Sequence, residues 1–166
     1  MDKKTTLHLM CGKMASGKST LAVTLANKNN AILFVEDEWL SMLYPDEIKS
    51  INDYIQYSSR LKNIITPHVI LLLKQGSSVV LDFPANTIKQ RKQLRSIFVA
   101  ADVSHLLHYV DASDEKCKEQ LKKRNMINPD QVAFTSEEEF DAINQYFQAP
   151  SENECFNIIG HLIKTP

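Results

Sequence analysis

The sequence predicts an α/β fold, a doubly wound parallel sheet with helices on both faces, and three observations carry that expectation. Short apolar runs of strand length alternate along the chain with segments of helical period. The runs are continuously apolar rather than alternating, as strands covered on both faces require. The first of them leads through a glycine-bearing loop directly into a helix.

Taken in order, Thr5 to Cys11 reads as a buried strand, and Leu21, Ala22, Leu25 and Ala26 mark the helix after the loop. Ala31 to Val35 is a second strand, and Ser78 to Asp82, between Gly76 and Pro84, a third. His105 to Val110 gives a fourth and Phe156 to Ile159 a fifth. Between them Ile51, Tyr54, Ile55, Ser58, Leu61 and Ile65 fall at helical spacing; Thr66-Pro67 then reads as the cap and first position of a further helix closed by Gly76. Ile88, Leu94, Ile97, Phe98 and Ala101 suggest another helix. Ser113, Asp114 and Glu115 open one that buries Cys117 and Leu121, and Ser136 to Glu139 is a capping box ahead of Phe140, Ile143 and Phe147. Without an internal repeat or a Pro/Gly-rich linker, residues 1–166 are expected to form a single domain.

Composition narrows the function classes. The 166 residues carry a net charge of −1 with 43% hydrophobic residues, which excludes a disordered chain and gives no general basicity for nucleic acid or membrane. Cys11, Cys117 and Cys155 are odd in number and too scattered for a disulfide framework or a CxxC metal site, so a reducing compartment is expected. No stretch approaches the about 18 apolar residues of a membrane span. A soluble, cytoplasmic protein without a membrane partner is the expectation.

Two of only four glycines lie in one window, Gly12-Lys13-Met14-Ala15-Ser16-Gly17-Lys18-Ser19, which satisfies G-x-x-x-x-G-K-[ST] at every fixed position. A chance match in a chain this size should occur roughly once in a hundred or less. The chemistry is specific. Glycine permits backbone angles and close approach that a Cβ would block, so successive N–H groups can point at phosphate oxygens. The helix N-terminus adds unpaired amides, extending the nucleotide site from Gly12 through Thr20. Lys18 would neutralise β/γ-phosphate charge and the Ser19 hydroxyl would ligate Mg²⁺.

The acids beyond the loop distinguish one nucleotide chemistry from another. Hydrolytic P-loop machines usually place Asp-Glu after the corresponding strand, but Asp82 precedes Phe83, and no NKxD guanine-reading element is present. The second strand ends in Glu36-Asp37-Glu38, at the sheet edge where ligands of a doubly wound fold bind. A carboxylate there can accept the proton of an attacking hydroxyl, and Asp37 is the expected base. For Glu36 and Glu38, decoration of a helix N-terminus is an equal alternative.

At these residues the chain resembles the P-loop kinases that include 5′-polynucleotide kinases, zeta toxins and chloramphenicol phosphotransferases, together with small ATP-binding proteins of AAA type. The resemblance runs from Leu7 to about Asn125 and implies a nucleoside-kinase-like P-loop NTPase fold. Polynucleotide kinases carry an Arg-Asp-Asp-Tyr-Arg string after the second strand, and Glu36-Asp37-Glu38-Trp39-Leu40 stands in its place, so the base role carries to Asp37. The same resemblance implies that Asp82 either holds Ser19 and Mg²⁺ or orients the acceptor. It also implies that Lys122-Lys123-Arg124-Asn125 begins a lid over about residues 122–135, with Arg124 stabilising the transferring phosphoryl group. The preference for ATP over other nucleotides is inherited from the resemblance. Leu40 replaces the substrate-phosphate-binding Arg of polynucleotide kinases, and the lid offers no second Arg after Arg124.

Other residues leave alternatives open. Arg91 and Arg95 could face the acceptor or form a solvated helix face, and Trp39, Tyr44, Tyr54 and Tyr57 could stack a ring substrate or belong to the core. The five histidines show no zinc-binding spacing. The expected function is a kinase moving the γ-phosphoryl of ATP to a hydroxyl of a small-molecule acceptor, with Mg²⁺. A non-enzymatic ATP-binding switch and a polynucleotide 5′-hydroxyl kinase are the alternatives; near-neutral charge and Leu40 argue against nucleic acid as partner.

Overall fold

The structure, a computed structural model, describes residues 4–127 and 136–163. Strands β1 (Thr6–Cys11), β2 (Ile32–Val35), β3 (Val79–Pro84), β4 (Ser104–Asp111) and β5 (Ile158–Leu162) form one parallel sheet in the order β2-β3-β1-β4-β5. Helix α1 (Lys18–Asn29) follows β1, α2 (Glu36–Leu43) and α3 (Ile51–Lys74) follow β2, and α4 (Ile88–Ala101) follows β3. After β4 come α5 (Asp114–Ile127) and α6 (Glu137–Asn144), with a 3₁₀ turn at Glu152–Glu154 before β5.

Side chains of β1 alternate between two cores, as the strand period demands. Leu7, Leu9 and Cys11 pack with the α3 and α4 residues Leu61, Ile65, Leu94 and Ile97, whereas Met10 packs with Ala22 and Ala26 of α1. Helices therefore cover both faces. A third cluster, Ala112, Cys117, Leu121 and Phe140, joins α5 and α6 beside the glycine loop. The β1/β3 register slips between Leu9 and Met10, so Asp82 and Phe83 lie across an irregularity of the kind that re-aims side chains at sites.

The helix break expected at Thr66-Pro67 is absent. α3 runs unbroken for 24 residues with Pro67 inside it, leaving the Asn63 carbonyl without its usual helical donor. The physical reason lies in the stripe Leu61, Ile65, Val69 and Leu73, which is buried in register on both sides of the proline. Four such side chains contribute roughly 1.5–3 kcal/mol each, which outweighs the ~3 kcal/mol cost of an interior proline.

Two further boundaries move. The fifth strand is Ile158–Leu162 rather than Phe156–Ile159: Cys155 takes a left-handed conformation, Phe156 packs on Phe98 and His105, and pairing with β4 begins only where the Asn157 carbonyl accepts from the Leu107 N–H. α6 stops at Asn144, so Phe147 lies beyond it, in a turn where it stacks on Tyr109.

Candidate active site

The carboxyl ends of β1, β2 and β3 deliver Gly12, Glu36 and Asp82 to one edge of the sheet. At Gly12 a Cβ would stand 2.7 Å from the Val110 carbonyl oxygen and 2.8 Å from Ser16 Oγ, so only glycine fits. Ala15 and Gly17 both adopt positive φ, at 58° and 97°, curling the loop onto the N-terminus of α1. Lys18 Nζ donates to the Gly12 and Lys13 carbonyls, each at 2.6 Å, and lies 3.5 Å from Ser16 Oγ. The ammonium is thereby held inside the curl. Burial lowers its pKa, and Asp82 first, then Cys11 and Asp37, pull it back up.

The remaining loop residues serve the cradle's walls. Lys13 is paired with Asp114 at 2.6 Å, and Met14 and Ala15 pack on the α5/α6 cluster. Ser16 is buried, its N–H donating to the Lys13 carbonyl. Ser19 and Thr20 are exposed on the first turn of α1.

Two carboxylates, Asp82 and Asp37, act on the Lys18 ammonium of this loop. Burial, and after it Glu36, push the Asp82 pKa up, while the neighbouring Ser19 hydroxyl and Lys18 oppose the rise. Asp37 remains reachable by solvent in a crowded surround that raises its pKa; Glu36 and Asp82 push the same way, while Lys18 and Arg124 oppose. Lys18, Ser19, Asp37 and Asp82 thus form one electrostatic cluster, with the exposed Arg124 of α5 within its field. Of the expected lid, residues 122–127 end α5, and 128–135 lie outside the described residues.

Glu36 has a role that the sequence did not single out. It is only 1% exposed, accepting from Tyr54 Oη at 2.6 Å and Ser58 Oγ at 2.5 Å, with Lys62 Nζ 3.0 Å away. Tyr54, Ser58 and Lys62 recur every four residues on α3, a stripe visible in the sequence that lacked only its partner. The clamp fixes the first turn of α2, and hence the backbone of Asp37, to α3. Glu38, by contrast, is exposed on that turn.

Other candidates are drawn elsewhere. Arg91 is fully buried, forking onto Glu154 at 2.7 and 2.9 Å and donating to the Ala85 and Gln148 carbonyls. Arg95 donates to the Glu154 and Cys155 carbonyls. Both tie down the C-terminal segment. Tyr44 packs on Tyr57, Trp39 on Phe34, and Tyr54 is taken up by Glu36, so the aromatic residues hold one another. His8, His108 and His161, from β1, β4 and β5, form a hydrogen-bonded row with 3.0 Å between the facing nitrogens of successive rings. Sequence spacing hid it because sheet order, not chain order, aligns them. Among the described residues no group of three or more His, Cys, Asp or Glu side chains could hold a metal ion. The pair Ser19 and Asp82 offers hard oxygen donors of the kind Mg²⁺ takes alongside phosphate.

Comparison with known proteins agrees with this fold. Residues 7–150 match the family described as AAA domain. No curated protein matches the sequence. Among solved structures, a protein of Chloroflexus aurantiacus J-10-fl to which kinase activity is ascribed is similar with a TM-score of 0.74 at 14% identity, covering 96% of this chain and 89% of that one. The APS kinase of Mycobacterium tuberculosis, solved with AMPPNP and APS, gives 0.66 at 17% identity, covering 98% and 91%. A chain of the Pnkp1/Rnl/Hen1 RNA repair complex gives 0.64 at 17%, covering 89% of this chain but 48% of its own length. At these identities the likeness shows a shared P-loop kinase-like fold.

Proposed function

The chain belongs to the AAA domain family, and on that premise we propose that it is an ATP-dependent phosphotransferase acting on a hydroxyl of a small-molecule acceptor. The observation that carries this reading is the placement of Asp37 in one field with Lys18 and Asp82, across the sheet edge from the loop. A base serves best when its proton affinity is raised toward working pH while it stays ionised, and the surround of Asp37 acts in that direction.

In this reading the loop amides and Lys18 bind the β- and γ-phosphates. Ser19 and Asp82 would hold Mg²⁺, which when bound supplies neutralisation of phosphate charge. The acceptor oxygen bonds to the γ-phosphorus as the bond to the ADP oxygen breaks, and the hydroxyl proton passes to a carboxylate oxygen of Asp37. Arg124, one helix away, balances charge on the transferring group.

A small acceptor is favoured over a polynucleotide by what the arginines do. A nucleic-acid strand needs several phosphate contacts along a groove, but Arg91 and Arg95 spend their donors on the C-terminal segment and the Ala85 carbonyl, and Leu40 is buried. Incubation with γ-labelled ATP against sugars, aminoglycosides, chloramphenicol-like alcohols, nucleosides and 5′-hydroxyl oligonucleotides tests the proposal. Transfer to a small alcohol is expected; salt-sensitive transfer to the oligonucleotides alone would replace it with the polynucleotide reading.

A further inference from the structure

We propose that Asn86 is a positioning residue for the phosphate-binding loop, its side-chain carbonyl gripping the Gly12 peptide so that the amides after it converge on one anion. The inference rests on the nucleotide-binding reading above and extends it to a residue 74 positions from the glycine it holds.

Gly12 is fixed from three directions. Its N–H donates to Asn86 Oδ1 at 2.9 Å, its carbonyl accepts from Lys18 Nζ at 2.6 Å, and Val110 and Ser16 close the space that a side chain on it would need. The second and third grips belong to the glycine-lysine motif and to β4. Among the described residues, Asn86 alone sets the direction of the amide at the point where the chain leaves β1. Were it lost, a buried N–H would go unmet and the peptide plane would be free to turn.

The grip is transmitted because Asn86 is itself held. Its N–H and that of Thr87 both donate to Gln90 Oε1, at 2.9 and 3.1 Å, and its carbonyl accepts from the Gln148 N–H at 2.8 Å. The preceding Ala85 donates its N–H to the Met10 carbonyl and accepts from Arg91 Nη1 at 2.9 Å. Arg91 in turn is locked by Glu154. The β3–α4 connection is therefore a rigid bracket between the C-terminal segment and the loop. The residue type fits as well: an amide carbonyl accepts from Gly12 without adding negative charge beside a phosphate, which an aspartate would do.

The test compares wild-type protein with Asn86→Ala and Asn86→Asp by two readouts, calorimetric titration with Mg-ATP and hydrogen exchange of the Gly12 amide in the nucleotide-free protein. Asn86→Ala should exchange at Gly12 at least about tenfold faster and bind Mg-ATP about tenfold more weakly, the scale of one lost hydrogen bond. Asn86→Asp should keep Gly12 protected yet still bind more weakly, because its charge opposes the phosphates. Ile97→Val, in the core away from the loop, controls for general destabilisation and should leave affinity unchanged. Wild-type affinity in Asn86→Ala, or in Asn86→Asp should the alanine variant not fold, would overturn the proposal. If the wild-type protein itself bound no Mg-ATP, the nucleotide reading would fall, and Gly12 exchange alone would decide whether Asn86 anchors the loop.

Discussion

Glu36 Oε1 and Lys62 Nζ stand 3.0 Å apart under the first turn of α2, a buried carboxylate and a half-buried ammonium that tie the turn bearing Asp37 to α3. Tyr54 and Ser58 complete the carboxylate's shell, and the Lys62 ammonium also lies 5.9 Å from the centre of the Phe83 ring. A pair of this kind adds little over an apolar substitute, but breaking it leaves an uncompensated buried charge.

Lys62→Met should therefore destabilise the protein by about 3 kcal/mol, measured by urea unfolding. Tyr54→Phe and Ser58→Ala should each cost about 1–3 kcal/mol, as one donor is removed from a buried acceptor. Losses below ~0.5 kcal/mol in all three would show that α2 is held by its apolar residues alone.

Lys18→Ala should abolish tight Mg-ATP binding and leave the fold intact, since the ammonium contacts loop carbonyls rather than a core. Calorimetric titration checks affinity and circular dichroism checks the fold. Unchanged affinity would remove the basis of the nucleotide reading.

Arg124→Ala should lower turnover more than it weakens ATP binding. The side chain is exposed in this structure and reaches Asp37 only through its field, so its contribution is expected where charge is redistributed in the transition state. Steady-state kinetics on the acceptor found by the transfer assay separate kcat from the nucleotide KM. Equal kcat would return Arg124 to the solvated surface of α5.

Acid should destabilise the fold through His108. Burial first, then His8 and His161, push its pKa down from 6.5 to about 4. The unfolded chain then takes up the proton before the native one, so this contribution is complete above pH 6.5 and is lost as pH falls through about 4. Thermal unfolding across that window should show the decline, and His108→Gln should flatten it. An identical slope in the variant would assign acid sensitivity to other groups.

Legibility in the sequence divided along physical lines. The strand, glycine loop and helix are local, each set by neighbours within a few positions, and β1 runs through Cys11 and α1 opens at Lys18 as the motif's context expects. The parallel sheet was legible from continuous apolar runs, whereas Pro67 misled because the stripe that overrides it acts through tertiary packing. Contacts between distant segments were hidden: Glu36 with Tyr54, Ser58 and Lys62, Arg91 with Glu154, and Gly12 with Asn86 become visible only once the elements are assembled. Arg91 shows the principle most plainly. In the sequence it is one of two arginines on a helix, and in the fold it is fully buried.

The central claim, that Asp37 takes the acceptor proton during phosphoryl transfer from Mg-ATP, is tested most directly by the transfer rate of Asp37→Asn at saturating Mg-ATP, beside Asp82→Asn. The amide keeps the shape of the side chain but cannot accept the proton, so Asp37→Asn should bind Mg-ATP within a few-fold of wild type and transfer roughly 10²-fold or more slowly. Transfer at the wild-type rate in Asp37→Asn, with the loss appearing in Asp82→Asn instead, would contradict the account and move the base to β3.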